Sequence, residues 1–446
     1  MKAGTWWWLS MGVSALLIFV LMQLWSEMNR YEIDPTQLVD AEAVDNYLEQ
    51  HWESLDSGGA ANGGRLIKIP TGIFIQSLQF FNSTEVNLTG YIWQRYSDGV
   101  NDALKPEPGV AGFILPEQVQ SGSDIEPREV YRIRQGDDEV IGWYFEATLR
   151  QPFDYFYYPF DHKTVWVRLW PEQFAGNVVL VPDFQAYKAT GTTDVFGIEN
   201  EIVLGTWERE NTFFDFKPTC YDTNFGIADY VGQDGFPELY YNFVIKRNSS
   251  NAFIVYLLPL FLVAALLFSA LLTITAKPEL MEIHGFNTTG VLGSCSVLFF
   301  VVLLAHIQLR EEFAGSNIVY MEYFYFLMYA MLVAAAANTY LFSMVAAPSL
   351  RVIHYQDNLI PKLLFWPTVL LSMIAITAYV LWGVGPKQER SLRECITDPA
   401  AVSSYQQPAQ ESLVSLSFQQ PTTDNTMATS KPTRDSLPHP SATGTG

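Results

Sequence analysis

Cysteine is scarce in this chain of 446 residues: only Cys220, Cys295 and Cys395 occur. Cys295 lies inside a long apolar run and Cys395 follows the last such run, so no disulfide framework serves the polar part of the chain. A secreted eukaryotic domain of that size usually carries bridges, and their absence leans toward a bacterial protein. No cluster of Cys, His, Asp or Glu has metal-ligand spacing, so no metal or other cofactor is expected. No Ser/His/Asp arrangement or glycine-rich phosphate loop appears, and the 6 His are scattered, which argues against an enzyme. Positive charge is short too. The net charge is −21, and between Glu27 and Ser250 there are 35 Asp and Glu against 16 Lys and Arg, a net −19. That balance argues against a nucleic-acid partner, whose phosphates are neutralised by Lys and Arg. The acidity either draws cations toward whatever lies beneath the region or merely keeps it soluble.

What the chain has in abundance is apolar runs. Four crowd into its second half: Ala252–Thr275, Thr288–Leu309, Ile318–Ser343 and Leu364–Val384. Each is long enough to cross a hydrocarbon core of about 30 Å as a helix, which takes about 20 residues. A fifth run, Thr5–Trp25, sits near the N-terminus. It is an uncleaved anchor or a signal peptide; its length and the lack of a small-x-small cleavage site favour the anchor. Lys2 ahead of it favours an inside N-terminus, so the large polar segment is expected outside. The loop 347–363, with Arg351, His354 and Lys362 against Asp357, then falls inside and fits the charge rule. Lys387, Arg390 and Arg393 after the last span fit it poorly, although Glu389 and Glu394 dilute the objection.

The pattern between the first and second runs is that of strands. Leu38, Val39, Ala43, Val44 and Leu48 mark a short helix, and Ser57–Gly64 reads as a flexible linker. Period two then takes over in Ile69–Phe81, Val86–Tyr96, Val140–Arg150, Thr164–Trp170, Val178–Val181, Ile202–Glu210 and Leu239–Arg247. These predict an antiparallel β-sandwich. The expected architecture is therefore mixed. It has an anchor or signal helix (1–27), a short helix and linker (28–64), and an extracellular or periplasmic antiparallel β-sandwich (65–250). A four-helix transmembrane bundle (251–385) and a disordered tail (386–446), rich in Ser, Thr, Pro and Gln, complete it.

Two features tie the halves together. Phe153–Asp161 packs aromatics around Pro159 and Asp161, either as a core-packed turn or as a corner whose apolar tip docks on membrane helices. The strand Leu239–Ile245 runs through Lys246 and Arg247 into the run at Ala252 without a linker, so movement of the sandwich pulls on that helix. Pro259, one to two turns inside the helix, removes a backbone bond and permits a kink.

With these residues the chain resembles the pentameric ligand-gated ion channels, the Cys-loop receptor superfamily, in its prokaryotic form. Tyr158-Pro159-Phe160-Asp161 is similar to that family's aromatic-Pro-aromatic-Asp signature. Arg247 matches its basic residue before the first channel helix, and Pro259 matches that helix's proline. Ile73–Asp98, with Trp93, is similar to the first strand pair, and the loop after the second helix leads into Tyr320. The resemblance covers about residues 66–385. The loop-closing cysteines are missing, their places falling near Gln151 and Val165, as in prokaryotic members. The N-terminal run and short helix lie outside the family plan.

The resemblance implies a homopentamer in membrane lipid, passing ions through a pore lined by Thr288–Leu309 and opened by a small-molecule ligand or a proton. The N-terminal half of that run is small and polar and the rest apolar, which suits hydrated ions and a dewetting gate, although small residues also let membrane helices pack closely. Of two stripes, Thr289, Leu292, Ser296, Phe299, Leu303, His306 and Arg310 is preferred over Asn287, Gly290, Ser294, Val297, Val301 and Gln308, because it puts the Phe299 ring at mid-height. Glu279 and Glu282 inside, and Glu311 and Glu312 outside, imply cation preference unless Arg310 faces the axis. Pro159, Phe160, Asp161, Arg247 and Pro259 are the expected coupling residues, with Asp161 and Arg247 in ionic contact. Ligand recognition by an aromatic box would draw on Trp93, Phe184, Tyr187, Tyr221, Phe225 and Tyr230. The competing reading is a non-conducting membrane sensor or assembly protein on the same fold.

Overall fold

The computed structural model describes residues 3–59, 66–97, 105–119, 125–173, 178–227, 234–284, 287–313, 317–344 and 351–383. The expected tail and Tyr230 lie outside them. Helix α1 (Ala3–Met28) is followed by α2 (Ala41–Gly59), so the first part of the expected linker is helical. Then come β1 (Ile67–Phe80), β2 (Glu85–Ser97), β3 (Phe113–Ile114), β4 (Gln118–Val119) and β5 (Ile125–Gln135). They are followed by β6 (Asp138–Arg150), β7 (His162–Pro171), β8 (Val178–Pro182), β9 (Trp207–Cys220) and β10 (Asp234–Arg247). The strands form two sheets, one ordered β4-β6-β2-β1-β8 with β5 on β6, the other β3-β7-β10-β9.

The second sheet is antiparallel throughout, but the first is mixed, because β8 joins it parallel to β1, with Ile67 opposite Val178. The chain leaves β7 in one layer and returns to the edge of the other, and that crossing sets the direction. Alternation works as the period of two demands. Ile73, Ile75, Leu88, Ile92, Ile141 and Trp143 from one sheet meet Val165, Val167, Phe214, Leu239, Tyr241 and Phe243 from the other in one core. Helix α2 adds Val44 and Leu48 to it. Leu38 is not helical; its N–H donates to the Phe214 carbonyl at 2.8 Å. The strand expected at Ile202–Glu210 begins at Trp207 and continues to Cys220.

After β10 the chain enters one long helix, Ser249–Thr273, made of α3 (Ser249–Ala252), a π-type turn Phe253–Leu257 and α4 (Leu258–Thr273). Pro259 lies just past the wide turn, where its ring crowds the carbonyl of residue 255 and its missing N–H leaves that carbonyl without its ordinary donor. Then follow α5 (Pro278–His284), α6 (Thr288–Glu312), α7 (Tyr320–Ser343), α8 (Arg351–His354) and α9 (Leu359–Gly383). Among the described residues five helices are long and apolar enough to cross a membrane: Gly4–Met28, Ser249–Thr273, α6, α7 and α9. They share a second core.

Candidate functional site

Between β6 and β7 the chain makes an excursion whose aromatic side chains leave the β core. Tyr155, Tyr158 and Phe160 are buried in the helical core instead. The family-type cysteines have no counterpart here, and the loop is closed by a side chain. Gln151, 1 % exposed, donates from Nε2 to the Trp166 carbonyl, and its Oε1 accepts from the Trp166 N–H at 3.3 Å. One amide thus satisfies both polar groups of a backbone unit on β7.

At the end of the loop three charged side chains meet. Arg247 Nε donates to Asp161 Oδ1 at 2.8 Å and Nη2 to Oδ2 at 3.3 Å. Lys163 Nζ lies 3.1 Å from Asp161 Oδ2 and also donates to the Asp154 carbonyl. Lys163 was not anticipated, yet it had a signal: two residues beyond Asp161, it lies on the same face of the strand. Asp161 and Lys163 are buried, 3 % and 2 % exposed, and Arg247 is partly buried. Burial alone would raise the Asp161 pKa, but the Lys163 ammonium and the Arg247 guanidinium outweigh it and hold the carboxyl below its ordinary value. Burial pulls the Lys163 ammonium pKa down. Aromatic faces supply further stabilisation: Arg247 Cζ sits 4.1 Å from the Trp207 ring and 4.8 Å from Tyr158, and Lys163 Nζ 3.7 Å from Tyr155.

The loop reaches both helix entrances. Tyr158 lies 4.6 Å from Phe313 and 6.1 Å from Tyr256, while Phe160 lies 5.7 Å from Phe253. The Tyr320 N–H, at the start of α7, donates to the Phe156 carbonyl at 2.7 Å. Arg247 is two residues before α3, where Asn248 accepts from the Ser250 N–H at 3.1 Å as the helix cap. The carboxylate thus joins the docked loop to the residue that precedes the apolar helix Ser249–Thr273.

Along α6 one stripe faces the protomer's own core: Val291, Cys295, Val302 and Leu309 are buried. The opposite face carries Val297, Phe300 and Leu304, exposed by 64 %, 61 % and 67 %. The stripe from Thr289 to His306 lies to one side of that face. Phe299 packs 5.6 Å from Tyr329 of α7, and His306 stacks 5.1 Å from Tyr325, with Nδ1 3.2 Å from the Tyr329 hydroxyl. Thr289 and Ser296 are exposed, and Leu292 and Leu303 half-buried. Arg310 is turned onto α7: Nη1 donates to Glu322 Oε1 at 2.9 Å and to the Asn317 carbonyl at 3.1 Å. Buried Glu322 also faces His306 Nε2 at 3.4 Å. Glu311 and Glu312, and Glu279 and Glu282 on α5, are exposed, and Glu312 also accepts from the Tyr256 hydroxyl.

The aromatic box candidates fall into two groups on different sheets. Trp93 donates to Asp183 Oδ2 at 3.0 Å and lies 5.7 Å from Tyr187, whose hydroxyl donates to the Ile73 carbonyl at 2.9 Å. Phe184 packs 6.1 Å from Phe214. Gly72 leaves room for Trp93: a Cβ there would stand 2.2 Å from its ring. Beside this group Trp93, Arg95, Tyr131 and Ile133 line an open cleft of about 370 Å³. On the other sheet Tyr221 donates to Glu238 Oε1 at 2.6 Å and lies 5.4 Å from Phe225. Trp170, Arg168 and Glu117 complete this second group. Arg168 contacts Glu117 and lies 3.2 Å from Glu238 Oε2. Burial pushes the Glu117 carboxyl up despite Arg168. These last three residues are far apart in sequence, and only the pairing of strands brings them together. Compared with known protein-family models and with curated proteins, the chain has no significant match.

Proposed function

We propose that the chain is a subunit of a homo-oligomeric ion channel, in which an extracellular or periplasmic β-sandwich senses a ligand or proton and drives a four-helix pore domain. The supporting observation is the docked loop: Asp161 is clamped by Lys163 and Arg247 while Phe156 bonds the first turn of α7. A displacement of the sandwich is thereby applied to two membrane helices at once. The proposed pore surface is the face of α6 turned away from its own bundle, with Val297, Val301 and Leu304 at its apolar constriction. Phe299 and His306, turned to α7, are assigned to its flank. Five copies, the number the resemblance implies, would close that face around an axis. Ligand recognition is assigned to the seam where Tyr221, Phe225 and Trp170 of one copy face Trp93 and Tyr131 of the next.

Cation preference follows from Glu311 and from Glu279 and Glu282, which stay exposed, while Arg310 is neutralised by Glu322. The apolar face of α6 equally suits a non-conducting sensor, in which the same docked loop passes a signal to a partner. Purified protein in sealed vesicles separates the two. Potassium efflux after an external acid step, together with a five-fold ring in electron images, is the channel outcome. Vesicles that stay sealed to potassium and chloride at acid and neutral pH, with or without a ring, leave the sensor.

A further inference from the structure

The N-terminal helix ends inside the junction just described. Leu21 and Met28 of α1 are buried in the helical core. Near its start, the Ser10 hydroxyl donates to the Leu363 carbonyl of α9 at 2.6 Å. Near its end, the Trp25 indole N–H donates to the Tyr320 hydroxyl at 2.8 Å. The Tyr320 hydroxyl shares a 2.7 Å bond with Thr377 Oγ1 of α9, and Thr377 donates to the Met373 carbonyl at 2.8 Å. Because the indole can only donate and the Met373 carbonyl only accept, the chain has one direction: Trp25, Tyr320, Thr377, Met373. The contacts at both ends make α1 and α9 run parallel.

The ring of Trp25 does as much as its N–H. It lies 5.2 Å from Phe253 in the π-type turn and 6.0 Å from Phe160 in the loop. One side chain therefore touches the docked loop, the first grouped membrane helix and the start of α7, the three parts that have to move relative to one another. Tyr320 is the residue whose N–H bonds Phe156. The opposite side of α1, with Trp8 75 %, Leu16 62 % and Phe19 60 % exposed, is the apolar surface a lipid-facing helix presents.

From these contacts we propose that α1 is retained as a fifth membrane helix and that Trp25 is a positioning residue of the junction, holding Phe160 and Tyr320 in register. The role as a brake or support of gating rests on the channel reading; the positional role does not.

The test is amide hydrogen exchange on the full-length protein in vesicles, after intact mass has shown whether residues 1–28 are present. In Trp25→Ala, exchange in segments 153–161 and 317–325 rises at least about ten-fold, while β2 and β6 are unchanged. Trp25→Phe, which keeps the ring and loses the donor, gives a smaller rise centred on 317–325. A mature chain that starts beyond α1 overturns the proposal, and so does wild-type exchange at both segments in Trp25→Ala. Should Trp25→Ala loosen the whole molecule, Trp25→Phe decides. A local rise supports the proposal, and wild-type exchange removes it. Potassium flux through the wild type is scored separately: its absence removes the channel reading and leaves the exchange result standing.

Discussion

Around Asp161 the charged groups find their partners inside one chain, whereas along α6 the most exposed large apolar side chains are Val297, Phe300 and Leu304, which lie outside the protomer's own buried core. The contrast extends along the helix: in an 18-residue apolar stretch of α6 22 % is buried, against 39 % in the corresponding stretch of Ser249–Thr273. An ion cannot be left dry and unpaired, so the junction had to be completed within the subunit. An apolar face carries no such penalty in lipid or against a neighbouring copy, so it can wait for assembly. In the proposed channel, coupling would be a property of one subunit and the pore a property of several.

The strongest way to break that comparison is Asp161→Asn. It strands buried Lys163 and partly buried Arg247, and the expected loss of stability is about 3–5 kcal/mol, read as a lowered melting temperature in detergent. Arg247→Gln in the same background should recover part of it, because one of the stranded charges goes. A melting curve like the wild type's would show that the triad holds nothing together.

Gln151→Ala comes next. It removes both partners of the buried Trp166 backbone unit, at a cost of about 1–3 kcal/mol, and should loosen the loop in proteolysis. Unchanged stability would mean that water replaces the amide.

On α6 the prediction reverses. Leu304→Ser and Val297→Ser should change stability by less than about 0.5 kcal/mol, yet raise vesicle leak several-fold if the apolar constriction is the gate. Phe299→Ala should leave leak near the wild type's. A large leak from Phe299→Ala with none from Leu304→Ser would return the axis to the Thr289–His306 stripe. Glu311→Gln should weaken potassium-over-chloride selectivity in a salt gradient.

The smallest effect is acid sensitivity. The folded-state pKa of Asp161 is held below its ordinary 3.8. Its contribution to stability is therefore fully present above that ordinary value and disappears as pH falls through the folded pKa. The wild type should lose stability on this limb and Asp161→Asn should lose less. Parallel acid limbs in both would remove Asp161 as the cause.

Much of the β domain is legible in order, because period-two alternation survives wherever one face is buried. β5 has no period-two signal, because Glu126, Arg128, Glu129, Arg132 and Arg134 crowd it and none of Glu126–Gln135 is buried. β9 was placed too early because its buried stretch Phe213, Phe214 and Phe216 follows a weakly patterned approach. The junction around Asp161 was half legible: Pro159 and Asp161 stand out in a line of aromatics, whereas Trp25, Phe313 and Tyr320 reach the same place from three distant segments.

The five apolar helices, the acidic β-rich segment and the unlinked passage from β10 into the apolar helix Ser249–Thr273 were determined by the sequence alone, since hydrophobicity and periodicity are local properties. Which way α6 turns was not. Both of its stripes are apolar enough, and the choice was made by Tyr325, Tyr329 and Glu322 of α7, which draw Phe299, His306 and Arg310 to one side. The end point of α1 at the junction belongs to the same class. A helix states in sequence that it will seek apolar surroundings, but only the packed tertiary structure supplies the hydroxyl of Tyr320 that its indole meets.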